Sequence, residues 1–210
     1  MLRHMTDLEQ KTALLLIEAG ESARWEYSAS LHCPKGPLLE FSTEKLENQA
    51  NPSSSLLDSI RGCPEIVLHH NHLSGESLSF ADWRGASQYF NEIYAHCNDG
   101  TSYYGRVLNK EKMLSVINNK ITLIEVNAEN HLFNYTNNTK FDAFFRKEVI
   151  CRALKIRGYV EYGYSWGAKQ ISHQAILKMN IFGIQSIGQL GAACEEWIQS
   201  AAFDLSGDDW

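Results

Sequence analysis

The sequence predicts an α/β domain in residues 1–126 and a mainly helical extension in residues 127–210. Up to residue 126, short apolar or alternating stretches typical of strands are separated by amphipathic stretches with helix-capping residues at their ends. After residue 126, the sequence is mostly amphipathic and locally basic, a pattern typical of packed helices. A chain of 210 residues can bury one well-filled core with an appended segment, or two small domains.

The first elements carry clear boundary signals. TDLEQKTALLLIEAG predicts a helix, because Thr6 can cap it, Glu9 completes a capping box and Gly20 can end it. ARWEYSASLH alternates between apolar and polar residues, which predicts a half-buried strand with Glu26 on its polar side. PLLEFST then predicts a second strand, and NPSSSLLDSIRG predicts a short capped helix.

The middle of the chain alternates between strand and helix signals. PEIVLHH is an almost continuous apolar run, as expected of a strand inside a sheet. A helix is predicted from about Phe80 to Cys97, followed by a strand in TSYYGRVL, a short helix in KEKMLSVINN and a strand in ITLIEV. In the extension, KFDAFFRKEVICRALKIRG predicts a basic helix, YVEYGYSWG fits either strand or loop, and the remainder predicts mostly helix.

Composition narrows the class of protein. The formal net charge of −6 disfavours broad nonspecific binding to nucleic acid, although a local basic patch is compatible with it. Five scattered cysteines without a CxxC pair predict free thiols in a reducing compartment, rather than a disulfide framework or a thiolate zinc site. No apolar run is long enough to span a membrane, and the N-terminal residues lack the signal-peptide pattern, so a cytoplasmic location is expected.

The segment LHHNHLSGESLSFADW concentrates metal-binding side chains. His70 and His72 are two residues apart at the end of a predicted strand, so both side chains point to the same side of the sheet. Asp82 follows a glycine-containing loop and can return to the pair from the first turn of the next helix. Two imidazole nitrogens and one carboxylate oxygen suit a zinc ion (Zn2+) that keeps a fourth position for water. His69 and Asn71 are expected to face the other way.

Simpler interpretations stand beside this hypothesis. Ser79 and Asp82 also form a capping-box pattern, which is compatible with metal binding because a cap would hold the carboxylate in place. The simpler interpretation of Glu26 is an ordinary exposed acid on a strand, without a catalytic role. Four other histidines are expected to be ordinary polar residues: His32, His96, His131 and His173.

These residues resemble the metal-binding signature of the JAMM (MPN+) metallopeptidases: His-x-His, a spacer of about seven residues, Ser, two residues and Asp. VLHHNHLSGE is most similar to the RadC branch of that family, in which His-Asn-His-Pro-Ser-Gly is typical. The order of predicted elements also agrees, and the resemblance covers about residues 6–126. It implies a JAMM-like, cytidine-deaminase-like fold, in which helices flank a mixed β-sheet.

The resemblance also implies roles for individual residues. Zinc would be held by His70, His72 and Asp82, and Ser79 would help to hold the oxyanion of the reaction. A glutamate on the strand after the first helix acts as general base in the family, which maps onto Glu26. The alternatives for that base are Glu21 as runner-up and then, less favoured, Glu40 and Glu44.

The activity implied by the resemblance is zinc-dependent hydrolysis of a peptide or isopeptide bond. The substrate would be a protein, such as ubiquitin or a ubiquitin-like protein cleaved at its tail. The enzyme would then act either inside its own cell on a ubiquitin-like partner or, as an effector, inside a host cell. Residues 127–210 are the expected place for partner or substrate selection, while the oligomeric state is left open.

Two departures from the family pattern keep other functions open. The spacer between His72 and Ser79 has six residues, and Leu73 replaces the usual proline, so Ser79 could be displaced relative to the metal. One alternative is a binding module with an impaired metal site. The other is a RadC-like nucleic-acid-associated protein, which would use the basic residues between Lys140 and Arg157 and a helix-hairpin-helix-like stretch, ILKMNIFGIQSIGQL.

Overall fold

A computed structural model describes residues 3–32, 36–63, 65–169 and 186–210. These residues form six strands: β1 Ser28–His32, β2 Leu38–Ser42, β3 Ile66–His72, β4 Glu92–Cys97, β5 Ser102–Val107 and β6 Val160–Ser165. They also form eight helices: α1 Asp7–Ala23, α2 Ser54–Ser59, α3 Phe80–Gln88, α4 Lys110–Asn119, α5 Ile121–Thr136, α6 Thr139–Ile156, α7 Ile187–Ala193 and α8 Glu195–Gly207.

The strands form a single mixed sheet in the order β2-β1-β3-β4-β5-β6. β3 and β4 pair in parallel, and the other neighbouring pairs are antiparallel. Every residue of β3 is buried, as expected of a central strand with both faces covered. The predicted α/β class, with helices toward the C-terminus, is confirmed.

The two faces of the sheet carry different packing. α1 covers one face, where the apolar cluster includes Leu16, Val67 and Tyr94. The opposite face carries the larger cluster, to which α3, α4, α5, α6 and α8 contribute buried side chains. β3 therefore presents alternate residues to two separate buried environments, and the metal-site prediction depends on which residues face which side.

Helix α1 begins as predicted but continues past its expected end. Thr6 caps it, and Glu9 completes the capping box. Gly20 does not end the helix, which continues to Ala23. A side chain at Gly20 would have its Cβ 2.1 Å from Nδ2 of the Asn71 side chain. The glycine therefore lets α1 approach β3 closely.

The helix predicted from Phe80 to Cys97 is wrong in its second half. α3 ends at Gln88, and the chain then forms β4, all of whose residues are buried. The amide of Asn91 between them donates to the carbonyl of Ile66, which brings the chain into the sheet. A short buried run of apolar residues has no periodicity that distinguishes a strand from a buried helix, and this ambiguity explains the error.

The strand predicted in ITLIEV is also wrong, because these residues begin helix α5. Ile124, Ala128 and Leu132 are its buried residues, spaced four apart along the helix. The β-branched residues favoured a strand locally, but a buried stripe that continues over several turns outweighs that preference. In contrast, YVEYGYSWG contains β6, which pairs with β5 at the edge of the sheet.

The predicted boundary at residue 126 lies within α5. Beyond it, β6 adds a strand to the same sheet, and α6 and α8 contribute to the same apolar cluster as α3. The two segments therefore share one sheet and one large cluster in the part of the chain that the structure describes. This arrangement places α6 and β6 next to the histidine segment.

Cys63, Cys97, Cys151 and Cys194 are free thiols, and Cys33 lies outside the described residues. Of the helices in the described ranges, none has both the length and the apolar character needed to cross a bilayer.

A buried carboxylate connects the β4–β5 turn to α7. The side chain of Asp99 accepts hydrogen bonds from the amide and hydroxyl of Thr101 at 2.8 and 3.0 Å. It also accepts from the hydroxyl of Ser186, at 3.0 Å, and from the amide of Gly188, at 2.8 Å. Asp99 is fully buried, so water cannot replace it as the acceptor for these four groups.

We expect Asp99→Ala to lower the free energy of unfolding by about 3 kcal/mol, because it leaves buried donors without an acceptor. Urea denaturation measures the loss. Asp58→Ala is the control, since Asp58 is exposed and pairs with the exposed Arg61, and an exposed pair contributes little. Equal stabilities of the two variants would contradict the prediction.

Candidate metal centre

The end of β3 and the start of α3 bring the three predicted ligands together. The Nε2 atoms of His70 and His72 lie 2.8 Å apart. The carboxylate of Asp82 approaches both rings, with Oδ1 3.2 Å from Nε2 of His70 and Oδ2 3.8 Å from Nε2 of His72. Among the described residues, these three form the one group whose ligand atoms are close enough to bind a shared metal ion.

The donor atoms and their spacing fit zinc. Tetrahedral zinc, with ligand distances of about 2.0–2.2 Å, separates neighbouring ligand atoms by roughly 3.3 Å. The observed separations of 2.8, 3.2 and 3.8 Å lie around that value. Two imidazole nitrogens as close as those of His70 and His72 also need a proton or a cation between them.

Neighbouring groups fix the orientation of two of the ligands. Nδ1 of His72 donates to the carbonyl oxygen of Glu76 at 2.7 Å, which leaves the Nε2 lone pair directed toward the other ligands. The amide and hydroxyl of Ser79 donate to Oδ2 of Asp82 at 2.6 and 2.7 Å. The amide of Asp82 donates to the Ser79 hydroxyl in return, so the predicted capping box is present and helps to hold the ligand.

Burial and mutual charge determine the protonation of the three ligands. Burial, followed by the neighbouring charge of His70, lowers the pKa of His72 to about 4. Burial disfavours the charged forms of both His70 and Asp82, but their mutual attraction outweighs it. The pKa of His70 is raised, and the pKa of Asp82 is held well below its usual range. A charged carboxylate therefore faces a neutral imidazole and a readily protonated one.

Glu26 lies beside this group, just before β1. Its Oε1 accepts from the amide of Leu73 at 3.3 Å, and its own amide donates to the carbonyl of Leu46 at 2.7 Å. The interpretation of Glu26 as an ordinary exposed acid is wrong, because only 6% of its surface is exposed. Burial raises its pKa to about 7. At neutral pH this carboxyl group can therefore both accept and release a proton.

The other candidate glutamates have different partners. Glu21 lies near the end of α1 and pairs with Lys169 at 3.3 Å. Glu40 accepts from the amide of Ser53, the N-cap of α2, and Glu44 accepts from Asn51. In the described structure, none of these three carboxylates lines the cleft that contains the histidine pair.

That cleft has a volume of about 520 Å³, within the range of small-molecule sites. Glu26, Ser79 and the three candidate ligands are among the residues that line it. Residues 48–52, between β2 and α2, form part of its lining, as do Arg84, Tyr89 and Lys147. The cleft leaves the candidate metal centre open to a substrate that enters from solvent.

His69 and Asn71 face the α1 side of the sheet, as predicted. Nδ1 of His69 lies 2.9 Å from Nε2 of His96, and its Nε2 lies 3.4 Å from Glu9. Asn71 accepts from the amide of Tyr27 at 2.6 Å. His96 was expected to be an ordinary polar residue, but it is fully enclosed in this second polar cluster.

His131 and His32 have partners other than the candidate ligands. His131 lies 3.0 Å from Asp208, and His32 lies 3.8 Å from Glu65. His173 is outside the described residues, as is most of the helix-hairpin-helix-like stretch.

Much of the basic stretch between Lys140 and Arg157 is neutralised within the protein. Arg152 is buried and pairs with Glu148 at 2.8 Å and with Glu195 at 2.6 Å. Arg157 donates to backbone carbonyls near the C-terminus, among them that of Ser206 at 3.0 Å. The remaining basic residues divide into two that pair with acids, Arg146 and Lys147, and two that are exposed, Lys140 and Lys155. Three of the six basic residues in this stretch therefore pair with acidic side chains of the same chain.

The sequence analysis did not identify Glu76, whose carbonyl orients His72. The contribution of Glu76 is a backbone carbonyl, which has no side-chain signature in a sequence. The only available signal was its position in the spacer between the second histidine and Ser79.

Comparisons of the chain with known protein families, with curated proteins and with solved structures found no match.

Proposed function

We propose that this chain is a JAMM-like zinc metallopeptidase that hydrolyses a peptide or isopeptide bond. The observation that carries the proposal is the convergence of two histidines and an aspartate in the wall of a cleft that a buried glutamate also lines. Three protein ligands, a position open to water and a nearby proton carrier are the parts that a zinc hydrolase needs. The resemblance of the histidine segment to the RadC branch of the JAMM family agrees with this chemistry.

In the proposed mechanism, His70, His72 and Asp82 hold the zinc ion. When bound, zinc supplies a Lewis acid for the substrate carbonyl and makes water acidic enough to ionise near neutral pH. The hydrogen bonds from His72 to Glu76 and from Ser79 to Asp82 keep two of these ligands in a fixed orientation. The protein therefore needs little rearrangement when the ion binds.

Glu26 is the proposed proton carrier. Its carboxylate accepts a proton from the attacking water and delivers it to the leaving amine. A pKa of about 7 suits both steps, because neither the charged nor the neutral form is strongly favoured at neutral pH. The hydrogen bond from the Leu73 amide holds the carboxylate in the cleft during this exchange.

Ser79 is the proposed donor to the oxyanion, as the family resemblance implies. Ser79 lines the cleft, and its hydroxyl donates to Asp82. It would have to transfer that hydrogen bond to the substrate oxygen as negative charge develops there. The backbone amide of Ser79 also donates to Asp82 and would keep the ligand oriented during the transfer.

The proposed substrate is a protein, with the tail of ubiquitin or of a ubiquitin-like protein as the first choice. The cleft is open to solvent and large enough for a few residues of an extended chain. Residues 48–52 and Tyr89 are candidates for contacts with such a tail, because they line the cleft outside the metal ligands.

The experiment that tests the proposal combines metal analysis with a peptidase assay. Purified protein should contain or bind one equivalent of zinc, and the zinc-loaded protein should cleave ubiquitin or ubiquitin-like fusions and isopeptide-linked conjugates. A chelator should abolish cleavage, and added zinc should restore it. Zinc binding without hydrolysis of any of these substrates would favour a binding module, and the absence of zinc binding would overturn the metal site itself.

A further inference from the structure

The peptide unit between Glu76 and Ser77 adjoins the candidate metal centre. Neither residue belongs to the JAMM-like signature of His70, His72, Ser79 and Asp82. The carbonyl oxygen of Glu76 accepts the 2.7 Å hydrogen bond from Nδ1 of His72. Because a peptide bond is planar, the direction of this carbonyl depends on where the Cα atoms of both residues are held. The orientation of His72 therefore depends on how residues 76 and 77 are anchored.

Both residues are anchored by the C-terminal part of the chain. The carboxylate of Glu76 pairs with Lys147 of α6 at 2.9 Å. The hydroxyl of Ser77 lies 2.7 Å from the hydroxyl of Tyr162 of β6, and 3.6 Å from the thiol sulfur of Cys151. α6 and β6 thus contact the side chains of the two residues that this peptide bond joins.

The direction of the Ser77–Tyr162 hydrogen bond follows from its surroundings. The hydroxyl of Tyr162 donates its single proton to the carboxylate of Glu148, which accepts and cannot donate when ionised. Ser77 must therefore be the donor to Tyr162, and because a serine hydroxyl has one proton, its longer approach to the thiol of Cys151 is a contact and not a second full hydrogen bond. Glu148 is itself held by Arg152 at 2.8 Å, so the acceptor at the end of this chain is charged and fixed.

This chain of contacts lies in the protein interior. Ser77, Tyr162 and Glu148 are each at most 2% exposed. Water therefore does not compete for these groups, and a buried, fully paired polar chain specifies one geometry more strictly than apolar packing does. Apolar packing alone would not fix the direction of the Glu76 carbonyl in the same way.

We propose that Ser77 and Tyr162 are positioning residues for the metal centre, through which β6 and α6 hold the carbonyl that orients His72. This inference rests on the proposed zinc function. It assigns the C-terminal part of the chain a role in metal binding, in addition to any role in selecting partners.

The test measures the zinc affinity of the folded protein, by competition with a chromophoric chelator, in Ser77→Ala and Tyr162→Phe. Loss of an outer hydrogen-bond partner of a metal ligand lowers metal affinity by about 10- to 100-fold. Because Ser77 acts one contact further out, we expect a loss of about 10-fold in each variant. The visible absorption of the cobalt-substituted protein should also change, because the His72 ring is no longer held in one orientation.

Ser87→Ala is the matched control. Ser87 is also a buried serine, and its hydroxyl donates to the carbonyl of Trp83 at 2.7 Å, within α3 and away from the peptide unit. We expect this variant to bind zinc as tightly as the wild type and to give an unchanged cobalt spectrum. A purely structural role of Ser77 would lower thermal stability without changing these two properties.

The double variant Ser77→Ala/Tyr162→Phe should lose no more affinity than the larger of the single losses, because both changes break the same contact. Wild-type affinity in Ser77→Ala, or additive losses in the double variant, would overturn the inference while leaving the metal site intact. If the wild type binds zinc but hydrolyses nothing, the proposed function fails and the positioning role can still hold. If the wild type binds no zinc, both fail.

Discussion

Glu26→Gln should lower the turnover number by about 10²- to 10⁴-fold, the usual contribution of a general acid or base, while the zinc content stays that of the wild type. The amide oxygen of glutamine can still accept from the Leu73 amide, so the local structure is preserved. What disappears is the ability to accept a proton. Hydrolysis rates at saturating substrate, measured beside metal analysis of the same samples, check both parts of the prediction.

Glu21→Gln is the matched control, because Glu21 was the alternative base and lies near the end of α1. Its carboxylate pairs with Lys169 outside the cleft, so its loss should leave turnover unchanged. If Glu21→Gln were the inactive variant and Glu26→Gln the active one, the assignment of the proton carrier would be wrong. Loss of zinc from Glu26→Gln would instead indicate that Glu26 is a metal ligand.

The second large effect is expected at the metal. Asp82→Asn should weaken zinc binding by more than about 100-fold, since even outer partners of metal ligands contribute 10- to 100-fold. The substitution removes the negative charge that faces His70 but keeps an oxygen that can accept from the Ser79 amide. Zinc titration monitored by competition with a chelator measures the change, and hydrolysis should fall in parallel.

A buried aspartate elsewhere controls for effects on folding. Asp142 lies in α6, is buried, and accepts from the hydroxyl of Thr136 at 2.5 Å. Asp142→Asn should leave zinc affinity unchanged, whatever its effect on stability. Unchanged zinc affinity in Asp82→Asn would contradict the assignment of Asp82 as the third ligand.

The candidate ligands could be predicted from the sequence because their arrangement is local. Two residues with a period of two on one strand share a side of the sheet, and β3 places His70 and His72 in that way. Asp82 could also be predicted from the sequence, because its capping-box pattern with Ser79 marks the first turn of a helix. In both cases, the backbone geometry of a single element determines where the side chain points.

The errors fall where local patterns are ambiguous. The residues of β4 and the first turns of α5 are mostly apolar, with β-branched or aromatic side chains among them, and a short run of this kind fits either a buried strand or a buried helix. β4 is a strand because it pairs with β3, and α5 is a helix because its buried stripe packs into the large apolar cluster. Neither partner is adjacent in the sequence.

The sequence by itself determined the α/β class, the boundaries of several elements and the three residues proposed to hold zinc. Each of these follows from periodicity or capping within about a dozen neighbouring residues. Only the tertiary structure decided that Glu26 is buried beside the ligands and that Ser77 contacts Tyr162 of β6. Those contacts join distant parts of the chain, and such contacts form only when the packing of the whole sheet brings the two segments together.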